Sequence, residues 1–281
     1  MPANSLPRRF LKRIIRPVFN DNFYRYCQCL AMAWDIRTGI WYEPELKLIP
    51  HAVQPGDNVI DIGANYGLYT YHLSKRVGDS GRVYAFEPIP FTFSTLTAVA
   101  KLLRFKRVEL IAKGCDEKEG EAAFTIPIQD SGAIAAGLAH SARRDNERSG
   151  KEIHARYQKT KQIHCQVVTI DGYLADLKSV SFIKCDIEGA DAFALRGAQK
   201  TIEKHHPTIV CEINPWFLEG YHINVKDFLG FFMDRGYKMY RYVEKGPETG
   251  RFQPVLIQDI VEDNYVFIHP ERHDRVASVL A

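Results

Sequence analysis

No run of this sequence stays apolar for the roughly 20 residues that a membrane-crossing helix needs. The N-terminus lacks the uninterrupted apolar stretch of a secretory signal, because Arg8, Arg9, Lys12, Arg13 and Arg16 recur through it. The six cysteines, at positions 27, 29, 115, 165, 185 and 211, form no C-x-x-C pair. That spread excludes a zinc knuckle or a disulfide frame and predicts reduced thiols in a cytoplasmic protein. Internal repeats and low-complexity tracts are absent, and so is the G-x-G-x-x-G fingerprint of NAD enzymes. Acid is missing from the start of the chain. Five of the positive charges lie in residues 1–20 with no Asp or Glu, so the formal net charge of +3 leaves −2 for the remainder. Within this arm, Phe10, Leu11, Ile14, Ile15 and Val18 have helical spacing. Residues 1–50 therefore read as a basic helical arm that packs on the domain, touches anionic lipid or nucleic acid, or stays solvated.

What is present suits one globular domain. The 281 residues are 46% hydrophobic and 25% charged, enough to bury a core over residues 51–281. From Pro55-Gly56-Asp57 onward, strand and helix patterns alternate. Asn58–Ile62 is a short apolar run, and Leu68–Val77 is a helix closed by Gly78. Arg82–Phe86 is a second strand ending before Pro88, and Pro90 opens a helix that runs to about Leu103. Val108–Ala112, Ser181–Asp186 and Thr208–Ile213 read as further strands, with helices over Ala190–Lys204 and Val225–Arg235. Such alternation predicts a mostly parallel sheet with helices on both faces. Tyr237–Val243 and Asn264–Ile268 close the chain as a hairpin with a long Gly/Pro-containing loop, which predicts a final antiparallel strand.

The middle breaks the pattern. Glu121–Ile128 and Ile163–Ile170 read as two strands, and between them lies a polar insertion over about residues 130–161. It holds seven Lys or Arg, at 143, 144, 148, 151, 156, 159 and 161, against acids at 145, 147 and 152. A long irregular insertion in a compact domain is either a functional lid or a disordered excursion.

Two clusters carry chemistry. Asp61-Ile-Gly-Ala-Asn-Tyr-Gly67 lies between a strand and a helix, where glycine permits positive φ and close approach of a ligand. The helix N-terminus behind it presents unpaired N–H groups. An Asp ahead of the first Gly suits a ligand carrying an ammonium better than a pyrophosphate. Glu87 stands at the end of the next strand, where an acid bonds the ribose hydroxyls of a nucleoside. The second cluster is Lys184-Cys-Asp-Ile-Glu-Gly-Ala-Asp191, with Asp186 at a carboxyl strand end and Glu188 in the turn. Glu212 and Asn214 close the next strand at the same edge. Carboxylates gathered there suit a general base, a Mg²⁺ site or a hydrogen-bond frame for substrate. Helix capping by Asp186 or Glu188, with an ion pair to Lys184, is the plainer alternative. Asn214-Pro-Trp-Phe217 resembles the N-P-P-[YF] signature of amino-group methyltransferases, but it follows the wrong strand and lacks the second Pro.

Taken in order, Val59–Thr70, Ala85–Pro88, Cys115–Gly120, Phe182–Asp191, Leu195 with Gly197-Ala198, and Pro207–Glu212 resemble the FkbM family of S-adenosylmethionine (SAM)-dependent methyltransferases. The resemblance covers about residues 40–270. It implies an α/β class I methyltransferase fold, Rossmann-like, with a seven-stranded mostly parallel sheet whose last strand is antiparallel. It also implies transfer of methyl to a hydroxyl of a sugar, glycan or secondary metabolite. Asp61, Gly63, Ala64, Asn65 and Gly67 would then line the methionine end of SAM, and Glu87 would hold its ribose. Asp191 stands where the family usually has Glu, Val99 lies near a usual Asn, and Lys113 occupies a site that is usually small. Asp186, Glu188 and Glu212 are the candidate catalytic residues. The acceptor is expected to be a small molecule or glycan, anionic if the insertion contacts it, and not nucleic acid. Nucleotide-sugar transfer with Asp186 and Glu188 holding a metal, and a non-catalytic SAM-fold module, are the competing readings.

Overall fold

A computed structural model describes residues 21–128, 139–145, 159–246 and 249–281. The basic arm over residues 1–20 and most of the 130–161 insertion lie outside the described residues.

Twelve strands are present among the described residues: β1 (Asn58–Ile62), β2 (Arg82–Phe86), β3 (Val108–Ile111), β4 (Gly114–Cys115), β5 (Gly120–Ile128), β6 (His140–Ser141), β7 (Lys159–Val168), β8 (Phe182–Cys185), β9 (Thr208–Ile213), β10 (Lys238–Gly246), β11 (Thr249–Pro254) and β12 (Asp263–Ile268). Eight of them form the main sheet in the order β11-β10-β12-β9-β8-β1-β2-β3. Pairing is parallel from β9 through β8, β1 and β2 to β3, and β12 enters antiparallel between β9 and β10. The expected class I methyltransferase sheet is thus present, with one strand more than the seven expected. The Gly/Pro-containing loop after β10 turns back as β11, which pairs antiparallel with β10 from Tyr240↔Pro254 to Gly246↔Thr249. The turn residues of that segment masked its strand character.

Strand β1 is buried from Val59 to Ile62, as expected of a parallel strand covered on both faces. Strand order reverses at β1: β2 and β3 lie to one side, β8 and β9 to the other. Open α/β sheets bind ligands outside the carboxyl ends of the strands at such a switch point.

The middle strands pair with each other and not with the main sheet, giving a second sheet in the order β4-β7-β5-β6. Its spine is the antiparallel β5–β7 ladder, from Gly120↔Val167 to Ile128↔Lys159. Strand β7 stops before Ile170, because Thr169 caps a short helix, Ile170–Tyr173, by accepting from the Gly172 N–H. The single helix expected over Ala190–Lys204 is broken into Asp191–Arg196 and Gln199–His205. At the break, a Cβ on Gly197 would lie 2.0 Å from the Asp116 carbonyl oxygen. The Asp171 carboxylate accepts from the Lys200 and Thr201 N–H groups at the start of the second piece.

The helix Asp21–Thr38 packs across the helix Pro90–Leu102. Ala33, Ile36, Leu46, Leu48 and Ile49 are buried in the same hydrophobic cluster as Val59 and Leu73. No helix among the described residues is long and apolar enough to cross a membrane.

Candidate active site

The turn after β1 is built by backbone geometry. Gly63 and Gly67 take φ of +80° and +95°, and Asn65 takes +48°, a left-handed angle that Asn tolerates. The Gly63 and Ala64 N–H groups donate to the Phe86 carbonyl at 3.0 and 2.9 Å, tying the turn to the end of β2. Glu87 follows directly and is buried. Its Oε2 accepts from the Asn65 N–H at 3.1 Å and its Oε1 from the Ile89 N–H at 2.9 Å. Each oxygen keeps a further lone pair for a ligand hydroxyl. Burial pushes the Glu87 carboxyl up to about 7 against those two amide bonds. Asp61 is buried too and accepts from the Thr70 hydroxyl; burial raises it to about 6.

The facing wall comes from β8 and β9. Lys184 is 2% exposed, and its ammonium donates to Asn264 Oδ1 at 2.9 Å and to Asp186 Oδ2 at 3.3 Å. It also lies 4.9 Å from the centre of the Tyr69 ring. Burial pulls the Lys184 ammonium down, but Asp186 and Glu43 more than offset this, so it stays charged. Glu188 takes φ of +59°, a conformation uncommon for a side-chain-bearing residue and frequent at functional sites. Burial, then the Asp186 charge, raises its carboxyl to about 8, while Arg144 works in the opposite direction. The Glu212 carboxyl is also driven well up, by burial and by Asp186 and Glu188.

One cleft joins these pieces. Asp61, Gly63, Ala64, Asn65 and Glu87 line it together with Lys184, Asp186, Glu188 and Glu212. The expected site residues therefore share one cavity, apart from Gly67. A Cβ on Gly67 would meet Leu96 Cδ1 at 2.8 Å, so that glycine serves packing behind the turn.

The sequence model of the FkbM methyltransferase domain matches residues 61–239. The chain belongs to the FkbM methyltransferase family. It is 28% identical over 150 residues to Methyltransferase 1 of Beauveria bassiana (strain ARSEF 2860), an alignment covering 51% of this chain and 59% of that protein. The chain thus spans less than two thirds of the length of that relative. Among solved structures it is similar to Methyltransferase FkbM from Methylobacillus flagellatus KT, at 17% identity and a TM-score of 0.44, covering 76% of this chain and 44% of that one. It is also similar to an rRNA methylase from Streptococcus thermophilus, at 10% identity and a TM-score of 0.43, covering 82% and 97%. The family sets aside nucleotide-sugar transfer. The fold alone does not separate glycan from nucleic-acid acceptors.

Within this member of the family, several polar residues turn out to be scaffold. Asn214 is buried, and its Oδ1 accepts from the Trp216 and Phe217 N–H groups as the cap of the helix Pro215–Gly220. It is not an oxygen ligand of the cleft. Asp191 accepts from the Gly189 and Ile187 N–H groups and so holds the Glu188 turn. Gly189 lets the chain approach Phe217, whose Cβ would lie 2.5 Å from an added Cβ. Arg143 pairs with Asp116 and lies over the Phe193 ring. Arg144 is buried over the Phe217 ring, and its Nη1 donates to the Glu188 carbonyl at 3.3 Å. Two cations of the insertion are thus committed to internal contacts.

Lining groups that were not among the expected site residues include Trp41 and Glu43 from the N-terminal segment, Asp116 after β4, and His140 and Ser141 in β6. For Asp116 the signal was its place one residue past a strand end. Trp41, Glu43 and His140 arrive through tertiary packing alone. Among the described residues, the one group of three metal-ligating side chains within reach of one another is His206, His269 and Glu271, elsewhere in the fold.

Proposed function

We propose that this chain transfers the methyl group of SAM to a hydroxyl oxygen of a sugar, glycan or secondary metabolite. The observation that carries the reading is Glu87, a buried carboxylate at the end of β2 whose two oxygens are each oriented by a backbone amide. It sits beside the turn at Gly63 and offers two acceptor atoms, the pattern that suits a ribose diol.

The cleft fits a cationic nucleoside. Asn65 Oδ1 and Glu212 Oε2 are buried acceptors with no hydrogen-bond donor among the described residues. Burial above all raises the Asp61, Glu87, Glu188 and Glu212 carboxyls, so a hydrogen-bond donor and a positive charge brought by a ligand would favour their ionised forms. A ligand bearing an ammonium and a sulfonium supplies both. When bound, SAM provides an electrophilic methyl group on its sulfonium. Asp61, Gly63, Ala64 and Asn65 receive the methionine end, Gly67 packs behind their turn, and Glu87 accepts from the ribose hydroxyls.

An alcohol is a weak nucleophile, so its proton must be taken as the new bond forms. Glu188, Asp186 and Glu212 are the groups for that work. Glu188 is tuned best, since a base with a pKa near the working pH is the most effective. Lys184 anchors Asp186, and Asp191 holds the Glu188 turn, so both orient the acids. The reading assigns proton removal to these carboxylates and calls on no metal. Residues 51–281 carry the reaction, with Trp41 and Glu43 completing one wall. From the segment over 130–161, Arg143 lines the cleft and Arg144 holds the Glu188 carbonyl, and peripheral contact with a membrane through the N-terminal arm is part of the same reading.

The decisive experiment incubates the protein with methyl-labelled SAM and an extract of glycans and metabolites, followed by mass spectrometry. A labelled O-methyl product supports the proposal. Label on nitrogen or on RNA redirects it, and binding of SAM without any transfer makes the chain a non-catalytic module.

A further inference from the structure

The helix Asp21–Thr38 has two unlike faces. Cys29, Ala33 and Ile36 are buried against the domain. On the other side Tyr26, Leu30 and Trp34, spaced four apart, are exposed by 60%, 41% and 64%. Residues four apart on a helix lie above one another, so these three form one stripe. A row of large apolar side chains in water is unfavourable unless something covers it. The exposed residues of the helix from Tyr26 onward include Arg37 and no acid. Downstream, Ile40 and Tyr42 are also exposed, on either side of Trp41, which lines the cleft.

Charge identifies the covering surface. The 20 residues ahead of this helix carry five Lys or Arg and no acid. A basic segment joined to a helix face of Trp, Tyr and Leu is complementary to an anionic lipid surface, where aromatic rings settle at headgroup depth and cations meet the negative potential. It is poorly complementary to a second copy of the same arm, which would bring like charges together.

The helix also adjoins the cleft. Gln28 Nε2 donates to the Tyr66 hydroxyl at 3.0 Å, and Trp41 meets the Tyr66 ring edge-on at 6.4 Å. Tyr66 belongs to the turn that lines the candidate cofactor site. We infer that the Tyr26–Leu30–Trp34 face of this helix docks the protein on an anionic bilayer with the cleft beside the membrane surface. Acceptors borne on lipid would then be reached without leaving the bilayer.

The test reads binding and not turnover, so it stands or falls separately from the proposed reaction. The full chain is sedimented with vesicles of equal parts phosphatidylcholine and phosphatidylglycerol, and with phosphatidylcholine alone. Binding to the mixed vesicles only, weakened by added salt, is expected. Trp34 emission should shift to the blue on binding, and the shift should vanish in Trp34→Phe. The triple variant Y26S/L30S/W34S should keep its melting temperature, since the three side chains are exposed, and lose roughly tenfold or more in vesicle affinity. Absence of binding to the mixed vesicles overturns the inference, and so does full binding by the triple variant. A self-association that the triple variant abolishes, with no vesicle binding, would assign the face to a second copy and overturn it equally.

Discussion

The carbonyl oxygen of Asp186 passes so close to Gly63 that a Cβ built on that glycine would lie 2.2 Å away. The two halves of the candidate active site, the turn after β1 and the turn after β8, are therefore in contact through backbone. Gly63 would be needed even if no ligand ever bound. Its φ of +80° adds a second demand for glycine.

Gly63→Ala should destabilise the fold by roughly 2–4 kcal/mol, combining overpacking against backbone with strain at positive φ. Thermal unfolding without ligand checks this. A variant as stable as the parent would mean that the two turns are farther apart than described.

Glu87 should make SAM affinity depend on pH. Its carboxyl is raised to about 7, so the ionised form that accepts from two hydroxyls is populated only as pH rises through that value. Calorimetry between pH 6 and 8 should show SAM binding tighten with pH, and Glu87→Gln should flatten the curve. The variant should also lose affinity by about 1.5–3 kcal/mol at pH 8, the scale of a hydrogen bond to a charged group.

The same raised values act on the unliganded fold. For Glu87 and Glu188 the folded pKa exceeds the unfolded one, so each favours the folded state at low pH. That contribution is lost as pH climbs from about 4.5 toward 7 for Glu87 and toward 8 for Glu188. The melting temperature without SAM should therefore fall over this window, and Glu188→Gln should reduce the fall.

Asp186→Asn and Glu188→Gln should each keep SAM binding and lose about a hundred- to ten-thousand-fold in kcat, the usual contribution of a general base. In the parent, kcat should rise with pH toward a plateau above about 8, as Glu188 gives up its proton. Normal turnover in both variants would show that the cluster only supports the fold.

Asn214→Ala separates scaffold from chemistry. Removing the cap of the helix Pro215–Gly220 should cost about 0.5–2 kcal/mol of stability and leave SAM affinity unchanged. Chemical denaturation and calorimetry on the same preparation measure both.

Much of this protein is legible in its sequence. Alternating apolar runs, Gly78 and Gly236 at helix ends, and Pro90 at a helix start mark local preferences that survive folding. The acids at the ends of β1, β2, β8 and β9 were legible for the same reason: in a parallel sheet the carboxyl ends share one edge, so strand ends in sequence become neighbours in space. Other features were decided only by packing. Strand β11 was hidden because its Gly and Pro residues read as a loop, yet it gains its hydrogen bonds from β10. The break at Gly197 depends on where the Asp116 backbone passes, and the cleft wall at Trp41 and Glu43 depends on a segment that lies before the sheet begins. The raised acid pKa values belong to this second class too. A carboxylate's identity is written in the sequence, but its pKa is set by the water it loses and the charges it meets, and only the tertiary structure brings Asp186, Glu188 and Glu212 close enough to repel one another.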